Sequence, residues 1–378
     1  MKDIRMVDLQ GQYHHIAKPL SEKIQTVIES TAFINGPAVQ EFQQNLEKYL
    51  NVQHVIPCAN GTDALQIALM GLDLKPGDEV ITADFTFAAT VEVIALLGLT
   101  PVLVDVEEDT FNLNLEAVEQ KIGPKTKAII PVHLFGQSMD MEPLMELAQA
   151  HNLWVVEDNA QAIGANYTFS SGEKQKTGTI GHIGTTSFFP SKNLGAYGDG
   201  GALFTNDEEL AYKLRGIVNH GMYKRYHHDV VGVNSRLDAL QAVVLDTKLP
   251  YLDNYNEKRK MAALLYTERL QSCSAIITPY RAGDCDSHVY HQYTLRIKGV
   301  NRDALVQQLN ELGIPTGVYY PIPLHQQKAY TYSSYKEEDF AVTNTLVKEV
   351  LSLPMHTELS LDQIDYICEQ LLLKIVTI

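Results

Sequence analysis

The chain has 378 residues, 46 acidic against 30 basic side chains and a formal net charge of −16. That balance excludes a general grip on nucleic acid through phosphate neutralisation, so an anionic ligand must be held by a local cluster of donors. With 45% hydrophobic and 20% charged residues the composition is that of a globular protein, which excludes disorder and fibrous repeats and allows a core divided between two domains.

The most apolar stretch, Val91 to Val106, is broken by Glu92, Gly98, Pro101 and Asp105 and falls short of a membrane span. The start, MKDIRMVDLQ, lacks the apolar centre of an export signal. Cys58, Cys273, Cys285 and Cys368 are scattered, with no CxxC pair for a metal or redox site. A cytoplasmic protein with no metal, no nucleic-acid partner and no membrane partner is expected.

In chain order, the sequence predicts a helix around Leu20 to Glu29 and a turn at Asn35-Gly36-Pro37. From about Val55 to Val244 short apolar runs alternate with amphipathic stretches, the rhythm of parallel strands joined by crossover helices. Leu65, Leu69 and Leu72 predict a helix from Thr62 to about Gly71, and Leu144 and Leu147 another after Asp140. Strands are predicted at Val80-Ile81, Pro101 to Val106, Ala128 to Pro131, Leu153 to Val156, Thr185 to Phe189 and Ala202 to Thr205. Beyond Leu249-Pro250 a polar helix, Asn254 to about Leu270, a strand-like VYHQYTLRI and a helix with Leu305, Leu309 and Leu312 in register predict a smaller α+β domain.

The segment SFFPSKNLGAYGDGGALFTND, Ser187 to Asp207, sets Lys192 after an apolar strand and before a turn holding Gly195, Gly198, Gly200 and Gly201. A lysine held in this way can become a nucleophile toward an aldehyde cofactor once its amine is desolvated, whereas alone it is equally a surface lysine beside a flexible loop. Asp158 ends the run Leu153 to Val156 followed by Glu157-Asp158, at the carboxyl edge where open α/β sheets bind ligands. A buried carboxylate there can keep a pyridine nitrogen protonated, or simply cap a helix. In CANGTDALQIAL, Gly61 and Thr62 open a helix whose N–H groups can face a phosphate, with Ser187 as a further donor; each is also an ordinary cap or strand residue. Phe87, in DFTFAAT, can stack on a cofactor ring or belong to the core, and Gln161 can bond a ring oxygen. His133, in PVHLFGQ, reads as a core histidine with no catalytic part.

Taken together, GTDAL at Gly61 to Leu65, EDNAQAIGA at Glu157 to Ala165, SFFPSKNLGAYGDGGA at Ser187 to Ala202 and GVNSRLDALQA at Gly232 to Ala242 resemble the pyridoxal-phosphate sugar aminotransferases of the DegT/DnrJ family, in order and over nearly the whole chain. The resemblance implies the α/β aspartate-aminotransferase-like fold (fold type I): a large domain over residues 15–249 with a mixed, mostly parallel sheet, and a small α+β domain over 250–378 with 1–14. It implies pyridoxal 5'-phosphate (PLP) as cofactor, with Lys192 for the Schiff base and Asp158 for the pyridine nitrogen. Gln161 then serves the ring hydroxyl, Phe87 stacks, and Gly61, Thr62 and Ser187 hold the phosphate. Asn234 matches an asparagine that completes the partner subunit's phosphate site, which implies a homodimer with shared active sites. Family members that are dehydratases carry histidine where Lys192 stands, so transamination is expected here.

RYHHDVVGVNSRLD at Arg225 to Asp238 and YYPIPLH at Tyr319 to His325 are similar to the subgroup that aminates the third sugar carbon. Its nearest reaction takes a UDP-2-acetamido-3-oxo-glucuronate to the 3-amino sugar with glutamate as donor, in cell-surface polysaccharide biosynthesis. Arg225, His227, His228 and Arg236 are candidates for the anionic substrate, or a solvated loop face, and Tyr319, Tyr320 and His325 are further substrate candidates. VYHQY, around His291, matches a family segment without an assignable part. The alternatives are a dTDP- or GDP-ketosugar aminotransferase acting at the 3- or 4-position, and a non-catalytic sugar-nucleotide sensor. A nicotinamide dehydrogenase needs G-x-G-x-x-G after its first strand, and the glycines Gly178 to Gly184 have the wrong spacing.

Overall fold

The protein is represented by a computed structural model that describes residues 3–280, 286–330 and 335–377; Cys285 lies outside these residues. The chain begins with α1 (Leu9–Ser30) and α2 (Pro37–Leu50). The predicted helix around Leu20 is the second half of α1, which Asp8 caps by accepting from the Gly11 N–H. Pro19 lies inside α1 and masks the helical signal of its first half, yet Gln12, Ile16, Leu20 and Val27 still form one buried stripe. The expected turn at Asn35-Gly36-Pro37 leads directly into α2, with Pro37 at its first turn and Phe42, Leu46 and Leu50 buried one above another.

The central region follows as β1 (His54–Cys58), α3 (Gly61–Gly71), β2 (Glu79–Ala83), α4 (Ala89–Leu96), β3 (Thr100–Val104), α5 (Leu115–Lys121), β4 (Thr126–Ile130), α6 (Met141–His151) and β5 (Trp154–Asp158). A small hairpin, β6 (Asn166–Thr168) with β7 (Lys174–Lys176), precedes β8 (Ile183–Ser187), β9 (Gly201–Thr205) and α7 (Glu208–Ile217). A second hairpin, β10 (Met222–Lys224) with β11 (His227–His228), leads to α8 (Ala239–Lys248).

Seven of these strands form one sheet in the order β1-β9-β8-β5-β4-β2-β3. The pairs β2·β3, β2·β4, β4·β5 and β5·β8 are parallel, and β9 runs against both of its neighbours. This is the mixed, mostly parallel sheet of the expected fold type. The reversal at β9 has a simple cause: β8 and β9 are joined by a loop with no crossover helix, and such a link connects only antiparallel neighbours. Lys192 rides on that loop. Each predicted central strand is present to within a few residues, and β1 is a further one, with Val55, Ile56 and Cys58 buried.

The last third contains α9 (Leu252–Leu270), β12 (Ile276–Ile277), β13 (Tyr293–Ile297), α10 (Arg302–Glu311), α11 (Ala341–Glu349), β14 (Val350–Leu353) and α12 (Leu361–Thr377). Its strands form an antiparallel sheet in the order β12-β13-β14. Only the second half of VYHQYTLRI is strand. Tyr266, Tyr293, Leu305, Leu309, Leu351, Ile367 and Leu371 close a separate apolar core, against which Ile4 from the N-terminal segment also packs. Among the described residues no helix is long and apolar enough to cross a membrane, and Cys58, Cys273 and Cys368 are free thiols.

Candidate active site

The parallel strands present their carboxyl ends along one edge of the sheet, and the residues expected to hold the cofactor from β1, β2, β5 and β8 stand there. Gly201, the first residue of β9, pairs with Cys58 at the end of β1 and with Ser187 at the end of β8, so these two ends lie on either side of it. The chain leaving β1 turns into α3, and Gly61 sits so close to Ser187 that a Cβ on it would lie 2.6 Å from the serine Cβ. Only glycine permits that approach. The cap of α3 is Asn60, whose side chain accepts from the Asp63 N–H at 2.8 Å. Thr62 is therefore not spent as the cap, and the first-turn N–H groups of Gly61 and Thr62 project from the helix end beside the Ser187 hydroxyl.

Asp158 is the last residue of β5 and is 6% exposed. Its carboxylate accepts from the Thr90 hydroxyl at 2.9 Å and from the Ala160 N–H at 3.2 Å. Burial raises its pKa above the usual carboxylate range, while those two bonds and the Lys192 charge oppose the rise. Lys192 shows the complementary shift: burial lowers its amine to about 8, and the field of Asp158 opposes that fall. Each group thus feels the other across the site. Thr90, the last residue of DFTFAAT, is fully buried and was not distinguished by the sequence, because a threonine in an apolar helix gives no sign of the carboxylate it will meet. Thr90→Val keeps the shape and removes the bond. We expect about a tenfold weaker hold on PLP, measured by cofactor dissociation at constant thermal stability; unchanged retention would show that Thr90 does not support Asp158.

Gln161 follows one turn later. Its Oε1 accepts from the Phe135 N–H at 2.6 Å, which orients the amide so that Nε2 faces the site and donates to the Tyr320 hydroxyl at 3.4 Å. Phe135 takes φ 57° to make this bond, a left-handed conformation that is costly for a bulky residue. Phe87 is 56% exposed although Phe85, Thr86 and Ala89 around it are buried. Its ring centroid lies 6.2 Å from that of Tyr320, leaving an aromatic face open over the edge of the sheet.

Other expected residues lie elsewhere. Arg225, His227 and His228 stand on the exposed β10–β11 hairpin, where Arg225 bonds the Tyr226 hydroxyl and His228 meets the His220 carbonyl. Arg236 donates to Asn219 at 3.3 Å. Asn234 is exposed, next to Ser235, whose hydroxyl accepts from Ala59 just ahead of α3. Tyr319 and Tyr320 are both partly buried against one core, their ring centroids 6.2 Å apart. His325 is 5% exposed, its Nδ1 lies 2.7 Å from the Asp84 carboxylate, and its ring stacks on Phe340. His133 is a satisfied core histidine, placed between the Glu157 carboxylate and the Met139 N–H. His291 is buried, and burial holds its pKa well below the usual imidazole range.

These residues fit PLP. The site offers a buried anionic acceptor, an amine able to lose its proton near neutral pH, a helix N-terminus flanked by two hydroxyls, and an uncovered aromatic ring. The comparisons with known proteins agree. The chain is similar to the UDP-N-acetyl-3-dehydro-alpha-D-glucosamine 3-aminotransferase of Acidithiobacillus ferrooxidans, 44% identical over 96% of this chain and 95% of that one. It is 43% identical to the UDP-2-acetamido-2-deoxy-3-oxo-D-glucuronate aminotransferase of Pseudomonas aeruginosa, over 97% of this chain and 99% of that one. Among solved structures, NtdA of Bacillus subtilis with bound cofactor PMP superposes with a TM-score of 0.91 at 30% identity, covering 100% of this chain and 86% of that one. With residues 14–372 matched by the family profile, the chain belongs to the DegT/DnrJ/EryC1/StrS aminotransferase family.

Proposed function

We propose that the protein transfers the amino group of glutamate to the 3-keto group of a UDP-linked 2-acetamido sugar, with a glucuronate as the foremost substrate. The observation that carries this reading is the facing pair of Asp158, buried and held by Thr90, and Lys192, its amine lowered to about 8. The relatives named for UDP-3-keto sugars support the choice of sugar. Bound PLP supplies an electron sink, its protonated ring accepting the electron pair released at the substrate carbon. Asp158 keeps the ring nitrogen charged, and Gln161 donates Nε2 to the ring oxygen. Gly61, Thr62 and Ser187 hold the phosphate, and Phe87 covers one ring face. The Lys192 amine would take the proton from the donor's α-carbon and deliver it, on the same face, to the cofactor carbon that had been linked to Lys192, once for glutamate and once, in reverse, for the ketosugar.

The acting unit in this reading is a homodimer in the cytoplasm, serving cell-surface polysaccharide synthesis. Residues 15–249 form the cofactor domain, and 250–378 with 1–14 the small one. Exposed Asn234 enters the partner's phosphate site, and Arg225, His227 and His228 on the projecting hairpin, with Arg236, meet the anionic nucleotide sugar. Tyr319 and Tyr320 line the sugar side. Sharing has a direct test. A heterodimer of Lys192→Ala and Asn234→Ala chains has one doubly damaged and one intact site, so about half the wild-type activity is expected; no recovery in verified heterodimers would refute sharing. A panel of UDP-, dTDP- and GDP-ketosugars with glutamate tests the substrate, and preference for a dTDP or GDP sugar would overturn the UDP assignment. A sensor on this scaffold would keep a PLP chromophore and transaminate none of them.

A further inference from the structure

Asp84 and His325 are far apart in sequence and joined in the fold. Asp84 follows the last residue of β2 and is fully buried, and its two carboxylate oxygens serve a single residue. Oδ1 accepts the His325 backbone N–H at 2.7 Å, and Oδ2 lies 2.7 Å from the His325 imidazole Nδ1. The Leu324 N–H also donates to the Asp84 carbonyl, and the Asp84 N–H donates to the Val104 carbonyl at 2.9 Å. The far face of the imidazole is closed by Phe340, at 4.3 Å between centroids and 11° between planes. A carboxylate taken this far from water needs a reason to be there, since an apolar pair of similar volume would be cheaper to bury. Burial holds the Asp84 carboxyl up at about 6 in spite of the bonds from His325.

The reason lies in what each residue carries. Asp84 begins DFTFAAT, which brings Phe85, Phe87 and Thr90 to the site; His325 ends YYPIPLH, which brings Tyr320. The two segments meet through rings, Tyr320 lying 6.1 Å from Phe85 and 6.2 Å from Phe87 between centroids. Ring contacts alone are weakly directional, whereas a carboxylate bonded to both the main chain and the side chain of one residue fixes the two segments in both distance and rotation.

We propose that the Asp84–His325 pair is the positioning device that sets the separation of Phe87 and Tyr320, and so the width and tilt of the seat for the cofactor ring and the sugar. His325 acts through these rings and touches neither ligand. The inference rests on the functional reading above, since it presumes that Phe87 and Tyr320 border the PLP site.

The test compares PLP-loaded wild-type protein with His325→Leu, His325→Asn and Asp84→Asn. The readouts are circular dichroism in the cofactor's visible band, the PLP dissociation constant and the KM for the ketosugar, all read below the melting temperature of each variant. In His325→Leu we expect the visible ellipticity to fall severalfold, with PLP held about tenfold more weakly and KM raised more than kcat is lowered. In His325→Asn the amide nitrogen stands close to where Nδ1 stood, so most of the ellipticity should return. Asp84→Asn keeps the main-chain bond and replaces the carboxylate oxygen that faces Nδ1, and should fall between them. It decides the matter if His325→Leu does not fold. A normal wild-type band with unchanged ellipticity and PLP affinity in the folded variants would overturn the positioning role alone. A wild-type protein with no visible band after incubation with PLP would overturn the functional reading and the positioning role with it.

Discussion

Lys192→Ala is expected to give a folded protein that still takes up PLP through Gly61, Thr62, Ser187 and Asp158 but transaminates at least ~10³-fold more slowly, because the group that moves the proton is gone. Borohydride should bleach the wild-type chromophore irreversibly by reducing the lysine–cofactor linkage, and should leave none of the cofactor attached to the variant. Lys192→Arg separates charge from nucleophilicity: the guanidinium keeps a cation facing Asp158 yet cannot lose its proton in the working range, so it should bind PLP and remain inactive. The pH dependence follows from the amine at about 8. Below that value the amine is protonated and unreactive, and above it the amine is neutral. Reconstitution of cofactor-free protein should therefore speed up with rising pH and level off above about 8. Activity retained by Lys192→Ala, or a midpoint at an ordinary lysine value, would contradict the assignment.

Asp158→Asn is expected to have the next largest effect. The amide occupies the same space; its one oxygen can still accept from the Ala160 N–H while its NH2 turns to the Thr90 hydroxyl oxygen, but it carries no charge to keep a ring nitrogen protonated. PLP should bind about 10- to 100-fold more weakly, the usual worth of a charge-assisted bond in a buried site, and turnover should fall further because the ring loses its cationic form. A PLP analogue methylated on the ring nitrogen carries a permanent charge. It should restore part of the turnover in Asp158→Asn while helping the wild type little. Rescue that is equal in both proteins would count against a charge-holding role for Asp158.

Much of this site was readable in the linear chain. Lys192, Asp158 and the Gly61–Thr62 helix start each sit at the junction of an apolar run and a glycine or polar turn, and such junctions at the carboxyl ends of parallel strands open onto one edge. Two other features were concealed. The first half of α1 was obscured by Pro19 and two histidines, although its buried stripe is intact. α2 went unrecognised because Asn35-Gly36-Pro37 reads as a turn when it is also a helix start. The partner of His325 was concealed as well. A histidine in a segment similar to substrate-binding loops suggested a ligand contact, and the Asp84 carboxylate that encloses it comes from more than two hundred residues earlier, where periodicity carries no information about pairing.

Residue type and local pattern determined the alternation of strand and helix, the glycine that lets α3 approach Ser187, and the side chains able to hold PLP, because these depend on interactions within a few positions. Long-range contact decided the rest. Whether Asp158 is a cap or a buried acceptor, whether Lys192 loses water, which way the Gln161 amide points and whether His325 faces a ligand all depend on groups supplied by distant segments: Thr90, the opposing carboxylate, the Phe135 N–H and Asp84. Desolvation and hydrogen-bond direction arise only when those segments pack, so no reading of neighbours along the chain can supply them.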